Sequence, residues 1–218
     1  TTWYALLSTM PTIERSSIEM TKVLGITGGI ATGKSTVVAL FKKAGYPIVD
    51  GDIIAREIVA KGQPALAAIV ETFGPEIVLT TGELDRKKLG QLIFASPQKR
   101  ELLNETLKPF LRKEILRQIE EAKKKAALVI VDIPLLYEAH YEAIMDQVAV
   151  VYVPEKIQKE RLMARNQLTE EEAQQRIASQ WPIEMKKERA DIVFDNQGTR
   201  EETEQQVKKW LEEQTGKK

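Results

Sequence analysis

Short, nearly unbroken apolar runs recur along this chain, and the stretches between them carry apolar residues at helical spacing. Lys22-Val23-Leu24-Gly25-Ile26-Thr27 reads as a buried strand, and Thr36 to Ala44 as the helix that follows it. Tyr46-Pro47-Ile48-Val49-Asp50 predicts a second short strand ending in an acid. Ala127-Leu128-Val129-Ile130-Val131-Asp132 has the pattern of a strand covered on both faces. Gln147 to Val153 repeats that pattern, and Asp191-Ile192-Val193-Phe194 repeats it more weakly. Charged residues interleave with Ile157, Leu162 and Met163 between Glu155 and Arg165, which predicts a helix. Thr169-x-x-Glu172 is a capping box opening a helix through Gln180. Thr199-x-x-Glu202 repeats the device before a closing helix that ends near Leu211.

Residues 53–116 differ in character. They are helical in pattern, with no strong strand, and are broken by Gly62, Pro64, Gly74-Pro75, Gly82 and Pro97. Ser96-Pro97 is a helix start, a capping residue before a proline at the first helical position. Strands alternating with helices predict an α/β fold with a five-stranded, doubly wound parallel sheet, and residues 53–116 predict a helical insertion over one end. In such sheets ligands bind outside the carboxyl ends of the strands.

One such end carries a motif. Gly28-Gly29-Ile30-Ala31-Thr32-Gly33-Lys34-Ser35 fits G-x-x-x-x-G-K-[ST], between a predicted strand and a predicted helix. Gly28, Gly29 and Gly33 let the backbone close around an anion, with N–H groups from Ile30 through Thr36 and a helix N-terminus behind it. Lys34 can reach the β- and γ-phosphates, and the Ser35 hydroxyl suits Mg²⁺. The motif predicts a nucleoside triphosphate site.

Composition narrows the classes. The 218 residues suit one generous domain, or a core with an inserted subdomain. Lys+Arg and Asp+Glu both number 32, which argues against an electrostatic nucleic-acid binder. The absence of cysteine excludes disulfides, thiolate zinc sites and cysteine nucleophiles. No apolar run approaches the roughly 20 residues of a membrane span, so the cytoplasm is the expected setting. Residues 1–19 lack the basic start of a signal peptide, and Met20 stands just before the first strand. We read Met20 as the natural start and residues 1–19 as an added or upstream extension, with a genuine N-terminal arm as the alternative.

Other residues carry two readings each. Asp50 and Asp52 bracket a glycine at a strand end, where one carboxylate can orient or deprotonate an acceptor hydroxyl and the other can hold Mg²⁺ through water. Equally, Asp52 can cap the helical stretch Ile53 to Val59. Asp132 ends the third strand, as either a Mg²⁺-side acid or a turn cap. Arg161 and Arg165, four apart on one helix face, can close over a migrating phosphoryl group or simply face solvent. Arg176 follows the same logic more weakly. His140 is the single histidine, so no histidine cluster or Ser-His triad can be assembled.

Taken in order, these segments resemble dephospho-coenzyme A kinases. The resemblance rests on Gly25 to Ser35, on Val49-Asp50-Gly51-Asp52-Ile53-Ile54-Ala55-Arg56, and on Pro134-Leu135-Leu136-Tyr137-Glu138. It continues through Leu84-Asp85-Arg86, Arg161-Leu162-Met163-Ala164-Arg165, Gln180 and Asp195-Asn196-Gln197-Gly198, and spans residues 21–212. It implies a three-layer P-loop kinase fold, with residues 20–52 and 117–218 as the nucleotide-binding core and 53–116 as the subdomain that recognises dephospho-CoA. A lid at about 155–185 lies within that core. The implied reaction is direct in-line transfer of the ATP γ-phosphate to the ribose 3′-hydroxyl of dephospho-CoA, without a phosphoenzyme. Asp52, Lys34 and Arg161 are then the catalytic candidates. Arg165 would close on the ATP phosphates, and Asn196 would lie by the adenine or form a strand-end turn. Arg56, Arg86, Lys108 and Leu135 would lie on the acceptor side. Ser35, Asp50 through water, and Asp132 are the Mg²⁺ candidates. The implied partners are small molecules alone, with neither nucleic acid nor membrane, in a monomer or small homo-oligomer.

Three positions depart from the family pattern. Ala31-Thr32 replaces Gly-Ser, which demands an ordinary backbone conformation at Ala31. Asp50-Gly51-Asp52 replaces Asp-Ala-Asp, and Lys108-Pro109 replaces His-Pro, trading a histidine for a longer, permanently charged donor. Two rival readings remain: another P-loop metabolite kinase, such as one for shikimate or a nucleoside monophosphate, and a GTP-dependent switch. For the switch, the Asp195–Gly198 pattern comes late in the chain, and no Asn-Lys-x-Asp segment follows it.

Overall fold

The computed structural model describes residues 21–215. The reading of Met20 and residues 1–19 lies outside them. Five strands, β1 (Lys22–Gly28), β2 (Ile48–Asp50), β3 (Leu128–Asp132), β4 (Gln147–Tyr152) and β5 (Ile192–Asp195), form one sheet in the order β2-β3-β1-β4-β5. All four pairings are parallel, as the apolar runs predict.

Alternate residues of each strand feed opposite faces. Leu24, Ile26, Ile130, Ala149 and Val151 turn to the face covered by α1 (Lys34–Lys43), which they share with Val37, Leu40 and Phe41. Val23, Val49, Val129, Val131, Val148 and Val150 turn to the other. There the helices α2 (Gly51–Glu57), α3 (Pro64–Phe73), α4 (Arg86–Phe94) and α5 (Pro97–Lys123) contribute Ile54, Ile69, Leu89, Ile115 and Ile119. The stretch read as a helical insertion is therefore α2 to α5, of which α5 runs on through Pro109 to Lys123. Its strand content is one antiparallel bridge between Val78 and Leu84.

After β4 come α6 (Glu155–Asn166), α7 (Glu170–Ala178), α8 (Ile183–Arg189) and, following β5, α9 (Arg200–Thr215). Trp210 of α9 packs edge-on against Phe41 and Phe194 at centroid distances of 5.8 and 6.5 Å, closing the α1 face. The layers are thus helix, sheet and helix. Both capping boxes form: Thr169 Oγ1 accepts from Glu172 N at 3.2 Å, and Thr199 Oγ1 from Glu202 N at 3.2 Å. The Ser96 hydroxyl caps α5 by accepting from Lys99 N at 3.3 Å. Helix α8 is the element that the pattern reading missed. Its seven residues are too few for periodicity to register, and five of them are charged.

Leu162 of α6 packs with Ala173 and Ile177 of α7 in a small separate core, and Ile30 and Ala31 lie against it. The loop between β1 and α1 is therefore wedged against the α6–α7 pair.

Candidate active site

The register sets the chemistry at one end of the sheet. Ile26 of β1 and Asp50 of β2 both stand opposite Asp132 of β3, so three strands deliver their ends to one place. Strand β1 then turns through Gly28–Gly33 into α1. A Cβ on Gly28 would sit 2.6 Å from Thr32 Oγ1 and 2.9 Å from Val151 O, both closer than real contacts allow. Gly33 takes φ +86° just ahead of α1, a conformation that glycine adopts at little cost.

Ala31 corrects an expectation. It holds φ +62°, in the left-handed region, where an ordinary conformation was expected. The loop closes by hydrogen bonds from Thr32 N and Oγ1 to Gly29 O, at 3.3 and 2.9 Å, and this closure carries Ala31 through the conformation that a glycine would otherwise supply.

Polar side chains from the last third of the chain hold the loop from outside. Gln180 Oε1 accepts from Ile30 N at 2.9 Å, and Gln158 Nε2 donates to Ile30 O at 2.8 Å. Asn196 Nδ2 donates to Thr32 O at 2.8 Å, while its Oδ1 accepts from Thr203 Oγ1 at 2.8 Å. The Asn196 amide thus braces the loop. Lys186 Nζ donates to Gly28 O at 3.2 Å. Motif reading found Gln180 and Asn196 but missed Gln158 and Lys186. The one signal for Lys186 is its place three residues after buried Ile183, on the apolar side of α8.

Lys34, at the start of α1, is ion-paired with Asp132. Burial pushes the Asp132 carboxyl above its ordinary pKa; the Lys34 ammonium opposes that rise, and the nearby Asp50 and Asp52 charges add to it. Three carboxylates therefore share this mouth with one ammonium. Helix capping falls to Asp50, and not to Asp52 as one of the two readings of Asp52 had it. Asp50 Oδ1 accepts from Asp52 N and Ile53 N at 2.9 and 3.0 Å, because α2 begins at Gly51 directly off the strand. Asp52 lies exposed in the first turn of α2, and no hydrogen bond to its carboxylate is found among the described residues.

Beyond Asp52, Arg56 stands one helical turn on, and its carbonyl accepts from Arg86 Nη2 at 3.3 Å. Arg86 opens α4, whose cap is Asp85. Exposed Ile53 and Leu135 flank the acids in sequence. Lys108 is exposed on α5 and pairs with Glu105 at 3.3 Å. No hydrogen bond or ion pair among the described residues joins it to Asp52, Arg56 or Arg86.

On the loop's other side, a cleft of about 360 Å³ is lined by Ala31, Gly33, Thr36, Arg161, Arg165 and Asn196. Six candidates scattered over 166 positions thus meet in one place, joined by Gly198 and Arg200, which motif reading had not singled out as phosphate contacts. Arg161 Nη2 donates to Asn196 O at 2.9 Å, and Arg165 Nε to Asn166 Oδ1 at 2.8 Å. Ser35 lies exposed in the first turn of α1. Three guanidiniums around a glycine-rich turn make a cleft suited to a polyanion.

Comparison with known proteins identifies the family. The family model for dephospho-CoA kinase matches residues 22–202. A dephospho-CoA kinase of Bacillus licheniformis is 47% identical over 194 residues, covering 88% of this chain and 96% of that one. One from Arabidopsis thaliana is 42% identical over 191 residues, covering 87% and 82%. Among solved structures, the dephospho-CoA kinase from Campylobacter jejuni superposes with a TM-score of 0.72 at 29% identity, over 91% of this chain and all of that one. A shikimate kinase from Acinetobacter baumannii, at 17% identity, 92% and 96% coverage and a TM-score of 0.50, shares the fold alone. By the family match along nearly all of its described length, the chain belongs to the dephospho-CoA kinase family.

Proposed function

We propose that this chain transfers the γ-phosphate of ATP directly to the ribose 3′-hydroxyl of dephospho-CoA, the final step of coenzyme A synthesis, in the cytoplasm. The observation that carries the residue roles is the meeting of Lys34, Asp132, Asp50 and Asp52 where β1, β2 and β3 end.

In this reading the loop amides and Lys34 hold the β- and γ-phosphates, and Lys34 leaves Asp132 to do so. Asp52, with its carboxylate unengaged, orients the acceptor hydroxyl or takes its proton. Asp50 is committed to holding the turn of α2 from which Asp52 projects. Arg161 and Arg165 neutralise charge on the transferring group, and Asn196 keeps Thr32 in place beneath it. The helices α2 to α5 recognise the acceptor through Arg56, Arg86 and Leu135.

Mg²⁺ fits the donor set, which is all oxygen: the Ser35 hydroxyl, with Asp132 and Asp50 through water. Among the described residues no group of three or more acids and histidines is poised to hold a metal ion. Water and phosphate oxygens would complete the shell, as is usual for this ion. When bound, Mg²⁺ supplies charge neutralisation on the phosphates.

A coupled assay for ADP release tests the reaction, with dephospho-CoA, AMP, shikimate and no acceptor as arms. ADP release should depend on dephospho-CoA, and the product should carry its new phosphate on the 3′-oxygen. ADP release indifferent to dephospho-CoA would overturn the assignment.

A further inference from the structure

Lys186 is fully buried, and its ammonium has no solvent to meet. Its three donors have three partners: Gly28 O at 3.2 Å, Pro134 O at 3.2 Å and Glu138 Oε1 at 2.7 Å. Gly28 is the first residue of the phosphate loop. Pro134 lies two residues past Asp132 and one before Leu135, on the acceptor side of the site. The Thr27 hydroxyl also donates to Pro134 O, at 2.9 Å. Glu138 Oε1 accepts from Trp181 N at 3.0 Å as well, which ties this point to the segment entering α8.

Ile26↔Asp132 is the last paired position of β1 and β3. Past it, one segment continues as the donor cradle and the other as the acceptor-side loop, with the Thr27 hydroxyl still bonded to Pro134 O. The ammonium bridges a carbonyl of each segment just beyond that last pair. Fold stability alone does not account for a charge here, since a well-packed apolar residue of similar volume commonly serves a core as well or better. Its carbonyl partners, one on the phosphate loop and one on the acceptor-side segment, supply the reason.

We propose that Lys186 is a positioning residue, which fixes the spacing between the phosphate loop at Gly28 and the Asp132–Leu135 segment and so aligns donor with acceptor. The proposal rests on the transfer reaction argued above. A displacement of about 1 Å between reacting groups can cost on the order of 100-fold in rate. Each substrate still finds its own half of the site intact, so the loss falls on turnover and leaves binding largely unchanged.

The experiment compares the full chain with K186M, K186Q and the double variant K186M/E138Q. K186M strands the Glu138 carboxylate in the interior and should lower Tm by on the order of 10 °C. The double variant removes both charges and should recover most of that loss. In K186M and in the double variant alike, kcat for dephospho-CoA phosphorylation should fall about 100-fold, while Kd for ADP and for dephospho-CoA moves less than about threefold. K186Q, whose amide keeps two donors for the carbonyls, should regain about tenfold of the lost turnover.

A double variant with restored Tm and wild-type kcat would reduce Lys186 to a structural charge and overturn the proposal. So would turnover that follows Tm across all three variants. If K186M does not fold, the double variant carries the comparison. Wild-type chain inactive on dephospho-CoA would instead overturn the reaction itself, so the two failures are distinct.

Discussion

Asp52 and Asp50 sit two residues apart and do different work. The Asp50 side chain accepts two backbone N–H bonds, so its orientation is spent on structure. The Asp52 carboxylate has no such commitment and faces outward beside the acids of β2 and β3. Asp52→Asn should lower kcat by about 10²–10⁴-fold with Kd for ATP unchanged within about threefold. Titration and steady-state turnover of the same preparation check this, and wild-type turnover would remove Asp52 from the mechanism. Ala31 offers a stability test. An alanine held at φ +62° costs roughly 1–2 kcal/mol, whereas glycine costs roughly 0.5–1 kcal/mol more than alanine to order. The first term is the larger, so Ala31→Gly should raise stability by up to about 1 kcal/mol, where Ala→Gly within a helix lowers it. Urea unfolding of Ala31→Gly beside Ala39→Gly, an exposed position within α1, would read the two signs directly.

Among the elements, long apolar runs were legible and short charged ones were not. The three central strands, β1, β3 and β4, announce themselves because each is buried on both faces and so nearly continuous in apolar residues, whereas the edge strands β2 and β5, only partly buried, show shorter runs. Both capping boxes were legible because the signal is a fixed spacing of two residue types. Helix α8 escaped because one buried lysine does the work of an apolar residue, and no spacing rule reports a lysine aimed inward. The left-handed turn at Ala31 escaped for a related reason: loop closure imposes it, and local propensity argues against it. The cleft lined by Arg161 and Asn196 could be composed as a list, but its membership followed only once β5 was laid beside β4.

The longest helix, α5, carries a local pH marker. Arg117 holds the Glu114 carboxyl down at about 2, from an ordinary 4.5, through hydrogen bonds of 2.6 and 2.8 Å. A carboxyl depressed in the folded state stabilises the fold above its unfolded pKa, and that contribution fades as pH falls through the folded value. The window therefore runs from about 4.5 down to about 2. Arg117 is 59% exposed, so solvent screening keeps the contribution of the pair small. Glu114→Gln should be slightly less stable than wild type at pH 5–7, with the gap closing on acidification. A gap that stayed constant down to pH 2 would show that the ion pair is not its source.

At the scale of the whole molecule, and among the described residues, the polar side chains that brace the phosphate loop from outside come from the last third of the chain, while Lys34 pairs with Asp132. Gln158, Gln180, Lys186 and Asn196 all reach it, and Ile30 and Ala31 pack on the α6–α7 core. The helices α3 and α4 instead bury their apolar faces with α5 in the cluster on the opposite side of the sheet from α1, and their polar link to the site runs through Arg86 and the Arg56 carbonyl. A ligand that orders the loop should therefore order α6 and α7 with it, while leaving α3 and α4 largely as they were. Hydrogen exchange resolves the difference segment by segment, because protection reports the local opening free energy of each. ADP alone should slow exchange across residues 155–178 and 196–200, with little change across 64–94. Dephospho-CoA should protect 51–57 and 86–94 in its turn. Equal protection of both regions by ADP would mean that the α2–α5 layer and the nucleotide side move as one body. The division into a donor half and an acceptor half would then be geometric only, and the acceptor would meet a site already shaped by the nucleotide.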